Sequence, residues 1–176
     1  KLTHGLQQVF QAVKYSEFPV VAAPYGLVLG GGMEMIGGCD LRVAAAESYI
    51  GLVEVGVGLI PGAGGNLRLL SNLSKKMKTG ITGSLSLVQK AFETIGFAKV
   101  ATSANQAKSY GYLTESDKVV INRDHILSIA KKNIIEMSKN YIIPEKETFK
   151  LPGSAGRMAV EISVKGLVKT GKISNH

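Results

Sequence analysis

Twelve of the 21 glycines fall in one forty-residue stretch, between Gly26 and Gly65. Glycine loses more backbone entropy on ordering than any other residue. A cluster this dense therefore marks a place where the chain must turn tightly or let a ligand press against backbone. Overall, glycine makes up about 12% of the chain against a usual ~7%. The hydrophobic share of 45% and the charged share of 19% are those of a globular protein, not a disordered one. At 176 residues the chain can bury a core without disulfides or metal.

Hydrophobic spacing frames the glycine cluster. Leu6, Val9, Phe10 and Val13 predict a helix that ends near Ser16, before Pro19. Val20–Ala23 reads as a short buried strand, Gly31–Cys39 as a buried helix, and Leu41–Ala45 and Ser48–Gly51 as strands. Strand, helix and strand in so few residues imply an α/β core with parallel pairing. After Gly62 the character becomes helical. Helices are expected after Pro61, at Leu85–Ile95, at Ser103–Tyr110 with Ser103 as N-cap and Gly111 as stop, at Asp124–Asn140 and at Ser154–Thr170. Lys118–Ile121 is a further strand, and Tyr141–Gly153, with Pro144 and Pro152, an extended link. The expected organisation is an α/β part over 1–66 and a helical half over 67–176.

Charge follows the same division. Residues 1–65 hold three basic and five acidic residues, a net −2, and the remainder carries +10 of the total +8. A basic half suits an anionic partner, or is a solvated lysine-rich helical surface, since the lysines are dispersed. With 6% aromatics, no Trp and no matching motif, nucleic-acid binding is not expected. The apolar stretch 18–35 contains Pro24, Glu34 and four glycines, which argues against a membrane span. Cys39 is the single cysteine, so a reducing compartment is expected, and no basic-then-apolar leader precedes the first helix. A cytoplasmic location follows as an expectation. The first residue is Lys1, so the chain is expected to be a piece of something longer.

Several motifs are absent. No G-x-G-x-x-G follows a strand, no nucleophile elbow occurs, and Lys78-Thr79 lacks the glycines of a phosphate loop. His4, His125 and His176 are far apart, so no metal site is expected. Cys39, among apolar residues, reads as inert core before it reads as a nucleophile. Two acids inside the glycine cluster remain. Gly30-Gly31-Gly32 precedes a helix whose first N–H groups are unpaired, and glycines let a ligand oxygen approach them, as an oxyanion hole requires. Glu34 lies one turn in, where it also serves as an ordinary dipole partner. Glu54 sits in the apolar run 51–60, either on a surface loop or as a partly buried acid with a raised pKa.

The run Phe18-Pro19-Val20-Val21-Ala22-Ala23, then Gly26-Leu27-Val28-Leu29-Gly30-Gly31-Gly32-Met33-Glu34, resembles the central motif of the crotonase (enoyl-CoA hydratase/isomerase) superfamily. Cys39-Asp40-Leu41-Arg42-Val43-Ala44 and the segment Gly51 to Gly65 continue it in register. The resemblance implies an α/β crotonase fold, incomplete at its N-terminus, with a C-terminal helical half that covers acyl-CoA and forms trimers. It implies addition of water to a 2-enoyl-CoA, giving a 3-hydroxyacyl-CoA, as in fatty acid β-oxidation. Glu54 would protonate the α-carbon, and Glu34 would hold and deprotonate the water. The N–H of Gly31 would be an oxyanion-hole donor, with Gly30 beside it at the substrate. Gly62 would place the water, and Val53 and Val57 would line the acyl path. The chain has Val53 where many hydratases have Pro, and Asn66-Leu67 where many have Thr-Gln.

Lys90 to Ile95, Ala98 to Ala104, Gly111-Tyr112-Leu113, Asn122-Arg123-Asp124 and the terminal Gly171 to His176 resemble the branch fused to a 3-hydroxyacyl-CoA dehydrogenase. Hydration needs no cofactor, coenzyme A being part of the substrate, and NAD belongs only to a separate dehydrogenase part. The implied assembly is a homotrimer or a hexamer built of trimers. In this family an N-terminal half of repeated β-β-α turns supplies the second oxyanion donor and much of the adenine site. Loss of one donor typically costs ~10²–10³ in rate, so this chain alone is expected to be weak or inactive. Two alternatives stand beside hydration: an isomerase of the same fold, which needs one Glu, and a non-catalytic assembly domain.

Overall fold

The computed structural model describes residues 2–77 and 84–174. Lys78-Thr79 and the terminal Asn175 and His176 lie outside the described residues. Helix α1 (Leu2–Lys14) leads into strand β1 (Val21–Ala22), strand β2 (Gly26–Leu29), helix α2 (Gly31–Ile36), strand β3 (Leu41–Ala45) and strand β4 (Ser48–Gly51). Helices α3 (Gly65–Met77) and α4 (Ser84–Gly96), strand β5 (Val100–Ala101), helix α5 (Ala104–Tyr110) and strand β6 (Lys118–Val120) follow. Helices α6 (Ile126–Met137) and α7 (Gly153–Lys169) complete the described chain.

The strands form two three-stranded sheets, ordered β1-β3-β6 and β2-β4-β5. The pairs β1–β3, β2–β4 and β3–β6 are parallel, as the βαβ pattern predicts, and β4–β5 is antiparallel. All five residues of β3 are buried, and its alternation divides the core. Leu41, Val43 and Ala45 pack with Val120, Ile126 and Ala130. Ala44 belongs to the larger cluster around Ile50, Leu52, Leu69, Leu73 and Tyr112. Arg42 is buried too. It survives there because Asp117 accepts both its backbone N–H (2.8 Å) and its Nη2 (2.6 Å).

Local signals were accurate where chemistry is local. Ser103 caps α5, its hydroxyl accepting the Gln106 N–H at 3.1 Å, and Gly111 closes the helix at φ 89°. Two expectations need correction, and one strand was not anticipated. Gly26–Leu29, to which the sequence reading gave no element, is a strand held in parallel against β4. The helix expected over Gly31–Cys39 stops at Ile36, because the chain tightens through Gly37 and Gly38 and returns Asp40 N–H to the Val20 carbonyl. The segment Asp124–Asn140 is three pieces, with 3₁₀ turns at Arg123–His125 and Ser138–Asn140 flanking α6. Asn122 forces the first of these by accepting the Asp124 N–H. The link expected over Tyr141–Gly153 has no helix or strand through 152, and Gly153 is the first residue of α7. Among the described residues no helix is long and apolar enough to cross a membrane.

Candidate active site

Gly30 joins β2 to α2 and has φ 54°, a left-handed conformation that side chains rarely adopt. Its N–H donates to the Gly51 carbonyl at the end of β4 (2.9 Å), and its carbonyl accepts the Glu34 N–H (3.0 Å). The parallel β2–β4 pair thus aims the start of α2. Gly31 follows as the first helical residue, exposed, with open space where a Cβ would stand. As one of the first N–H groups of the helix, its N–H has no partner within the helix.

Glu34, in the first turn of α2, is only 6% exposed. Its Oε1 accepts two backbone N–H groups, those of Ala63 and Gly65, each at 2.9 Å. Both belong to the entry into α3, so Glu34 links the two helices and its second oxygen is left for another partner. Gly65 makes this approach possible. A Cβ there would lie 2.6 Å from Leu52 Cδ2, 3.0 Å from Glu34 Cγ and 3.1 Å from Glu34 Oε1. The sequence reading placed Glu34 but missed Ala63 and Gly65 as its holders. The available signal was the Gly64-Gly65 pair at the head of an apolar-periodic helix.

Glu54 opens a 3₁₀ turn, Glu54–Val57, that Gly58 closes at φ 76°. Both its carboxylate oxygens are buried without a hydrogen-bond partner among the described residues. The position of a Cβ on Gly30 lies 3.5 Å from Glu54 Oε1, so Glu54 rests against the junction that starts α2. Burial raises its pKa, and the negative charge of Glu34 adds to this. The nearby amides of Glu54 and Val53 act in the opposite direction without closing a well-formed hydrogen bond.

The remaining sequence candidates are placed less uniformly. Val53 is half-buried, its Cγ2 3.8 Å from the Cβ position on Gly30. Val57 is 75% exposed. Gly62 is half-buried, and its carbonyl accepts Gln7 Nε2 of α1 at 2.6 Å. Cys39 is buried, and burial pushes its thiol up to about 11, consistent with core packing. Among the described residues no group of three or more His, Cys, Asp or Glu converges to hold a metal.

The arrangement brings together a fixed carboxylate, a buried protonatable carboxyl and an open helix start. The family model of enoyl-CoA hydratase/isomerase matches residues 1–94. The chain is 40% identical over 171 residues to a probable 3-hydroxyacyl-CoA dehydrogenase of Bacillus subtilis, covering 97% of this chain and 21% of that protein. It is 48% identical over 63 residues to a crotonyl-CoA hydratase of Syntrophomonas wolfei, covering 36% of this chain and 24% of the relative. A crystal structure of an enoyl-CoA hydratase from Bacillus anthracis superposes with a TM-score of 0.62 at 30% identity, over 78% of this chain and 46% of that one. The chain therefore spans about a fifth of the Bacillus subtilis relative and less than half of the solved hydratase. On the match across more than half its length, and on a fold shared with the hydratase structures, this chain belongs to the enoyl-CoA hydratase/isomerase family.

Proposed function

We propose that this chain carries the two-carboxylate part of an enoyl-CoA hydratase site, acting on a 2-enoyl-CoA thioester. One observation carries the reading: Glu34 is locked by two backbone amides, while Glu54 lies across Gly30, buried and unpaired. Two acids held so differently suit two different proton tasks. The free oxygen of Glu34 holds a water and takes its proton as the hydroxyl adds to the β-carbon. Glu54, its pKa raised by burial, delivers a proton to the α-carbon. The Gly31 N–H donates to the thioester oxygen as negative charge develops there. Gly62 would help to place the water, and Val53 and Val57 would border the acyl chain. The reaction needs no cofactor beyond the coenzyme A of the substrate. NAD would be used by a dehydrogenase part such as the name of the Bacillus subtilis relative indicates. Relatives named as fatty acid oxidation complex subunit alpha support a place in fatty acid oxidation, and a cytoplasmic location is part of the same proposal. Assembly into trimers through the helical half is part of the same reading.

The test is hydration of crotonyl-CoA by the longest protein that carries this chain, with Glu34→Gln and Glu54→Gln beside it. Each substitution lowers kcat by about 10²–10⁴ if both residues transfer protons. Retained double-bond migration in Glu34→Gln, with loss only in Glu54→Gln, would instead identify an isomerase. Trimers that bind no acyl-CoA would identify an assembly domain. The chain 1–176 alone hydrates at least ~10²-fold more slowly than the longer protein if a second oxyanion donor lies outside it.

A further inference from the structure

A cavity of about 330 Å³ lies beside the C-terminal end of α2 and the middle of α3, lined by Lys14, Arg42, Arg68, Ser71 and Lys75 among others. Its cationic groups are not equivalent. Arg42 is paired with Asp117 at 2.6 Å. Lys75 pairs with Glu147 at 2.5 Å, and Lys76, also at the wall, with Glu115 at 3.5 Å. Among the described residues Lys14 and Arg68 have no carboxylate within ion-pair distance. Asp40 shares the wall, but its Oδ2 is engaged by the Val20 N–H (2.9 Å) and the Tyr141 hydroxyl (3.2 Å).

Lys14 and Arg68 are therefore two cations at one concavity. Arg68 is 7% exposed, and its stem is pinned by α2: a Cβ on Gly37 would stand 3.3 Å from both Arg68 Cβ and Cγ. Burial lowers the pKa of Lys14 and the charge of Arg68 lowers it further, with Asp40 and Glu147 acting in the opposite direction without reversing the shift. Like charges held together in a poorly solvated place are stabilised by an anion between them. The link 141–152 already brings one to the neighbouring side chains. Glu147 pairs with Lys75, and this cation, the nearby Ser71 hydroxyl and the charge of Lys14 hold its pKa below the ordinary carboxylate value despite burial. Its Oε2 remains buried without a hydrogen-bond partner among the described residues. This carboxylate is in contact with Lys75 and acts on Lys14 only from a distance, so among the described residues neither Lys14 nor Arg68 has an ion-pair partner.

We propose that this cavity binds the phosphate group of a small phosphorylated molecule, with Lys14 and Arg68 as its anchors and Glu147 as an internal competitor. A phosphate supplies two charges and several acceptor oxygens, which matches a lysine and an arginine fork better than one more carboxylate does. The cavity is of the size of small-ligand sites. Nothing in this proposal depends on the hydratase reading, since no residue of the Glu34–Glu54 pair takes part.

Isothermal titration calorimetry on the full chain at low salt, with inorganic phosphate and separately with glycerol 3-phosphate, tests it. Both anions bind, Lys14→Gln and Arg68→Gln each weaken binding about tenfold or more, and Glu147→Gln tightens it severalfold. A tighter ester marks an organic phosphate as the ligand, and equal affinities mark free phosphate. Circular dichroism checks that Arg68→Gln folds. Should it not, Arg68→Lys, which keeps the charge and loses the fork, replaces it, with weakened binding expected. The proposal is overturned if neither anion binds the unmodified chain or Glu147→Gln, or if binding survives unchanged in Lys14→Gln together with the Arg68 variant.

Discussion

Strand β3 and helix α7 show two ways of belonging to one fold. β3 has five residues, all buried, with a hydrogen-bonded neighbour on each side. α7 has seventeen residues, of which Gly156 is the buried one, while Met158 and Ile162 are 62% and 65% exposed. The first is over-determined: sheet pairing, two apolar clusters and the Arg42–Asp117 pair all specify it. The second rests chiefly on α4. The catalytic candidates hang from the over-determined part, through β2, β4 and the α2–α3 contact. Geometry at the site should therefore be insensitive to what happens at α7.

Substitutions can break or sharpen this contrast. The largest effect is expected from Asp117→Ala, which strands Arg42 in the core and removes acceptors from the Thr114 N–H and hydroxyl. Loss of about 3–5 kcal/mol, read from urea unfolding, is expected, and an unchanged midpoint would show that β3 does not anchor the fold. Gly65→Ala should cost about 1–3 kcal/mol, because the added methyl has no room beside Leu52 and Glu34. Its hydration rate should fall further than its stability does, since Glu34 loses its alignment. Ser103→Ala should cost about 1 kcal/mol through the lost cap of α5, measured by thermal unfolding.

Glu54→Gln separates stability from activity. A carboxyl whose pKa is raised on folding favours the folded state while protonated. That contribution is complete below the ordinary value of 4.5 and is lost as pH rises through the raised value. Unfolding midpoints of the parent should therefore decline over that interval, and those of Glu54→Gln should decline less. The smallest effect belongs to Ile162→Ser, within about 0.5 kcal/mol for an exposed position. A loss well beyond this, dependent on protein concentration, would mean that copies of the chain cover α7 in solution.

What could be read from the sequence follows from range. Ser103 and Gly111 act on their own helix within a few residues, and that helix was placed to the residue. The alternation Leu41, Val43, Ala45 is likewise local. Strand β2 escaped because nothing in Gly26–Leu29 announces β4, which creates it by pairing some twenty residues on. Glu34 could be picked out by its position after three glycines, but its two amide partners are 29 and 31 residues away. Glu54 was legible as a lone acid in an apolar run. That its oxygens find no partner is a property of the assembled neighbourhood alone.

The pairing of β3 with β6 carries a consequence for how the chain is made. Arg42, within β3, and Asp117, just before β6, are 75 residues apart, and the two strands join only when both have emerged. At ordinary synthesis speeds, β3 leaves the ribosome about 4–15 s before β6. During that interval one edge of the central strand is open, and Arg42 waits without its carboxylate. Such an edge is a template for the wrong strand, including one from a neighbouring nascent chain. Closing so long a loop also slows the search for the right partner. The same feature that makes the folded core secure makes its assembly the step at which chaperones would matter most.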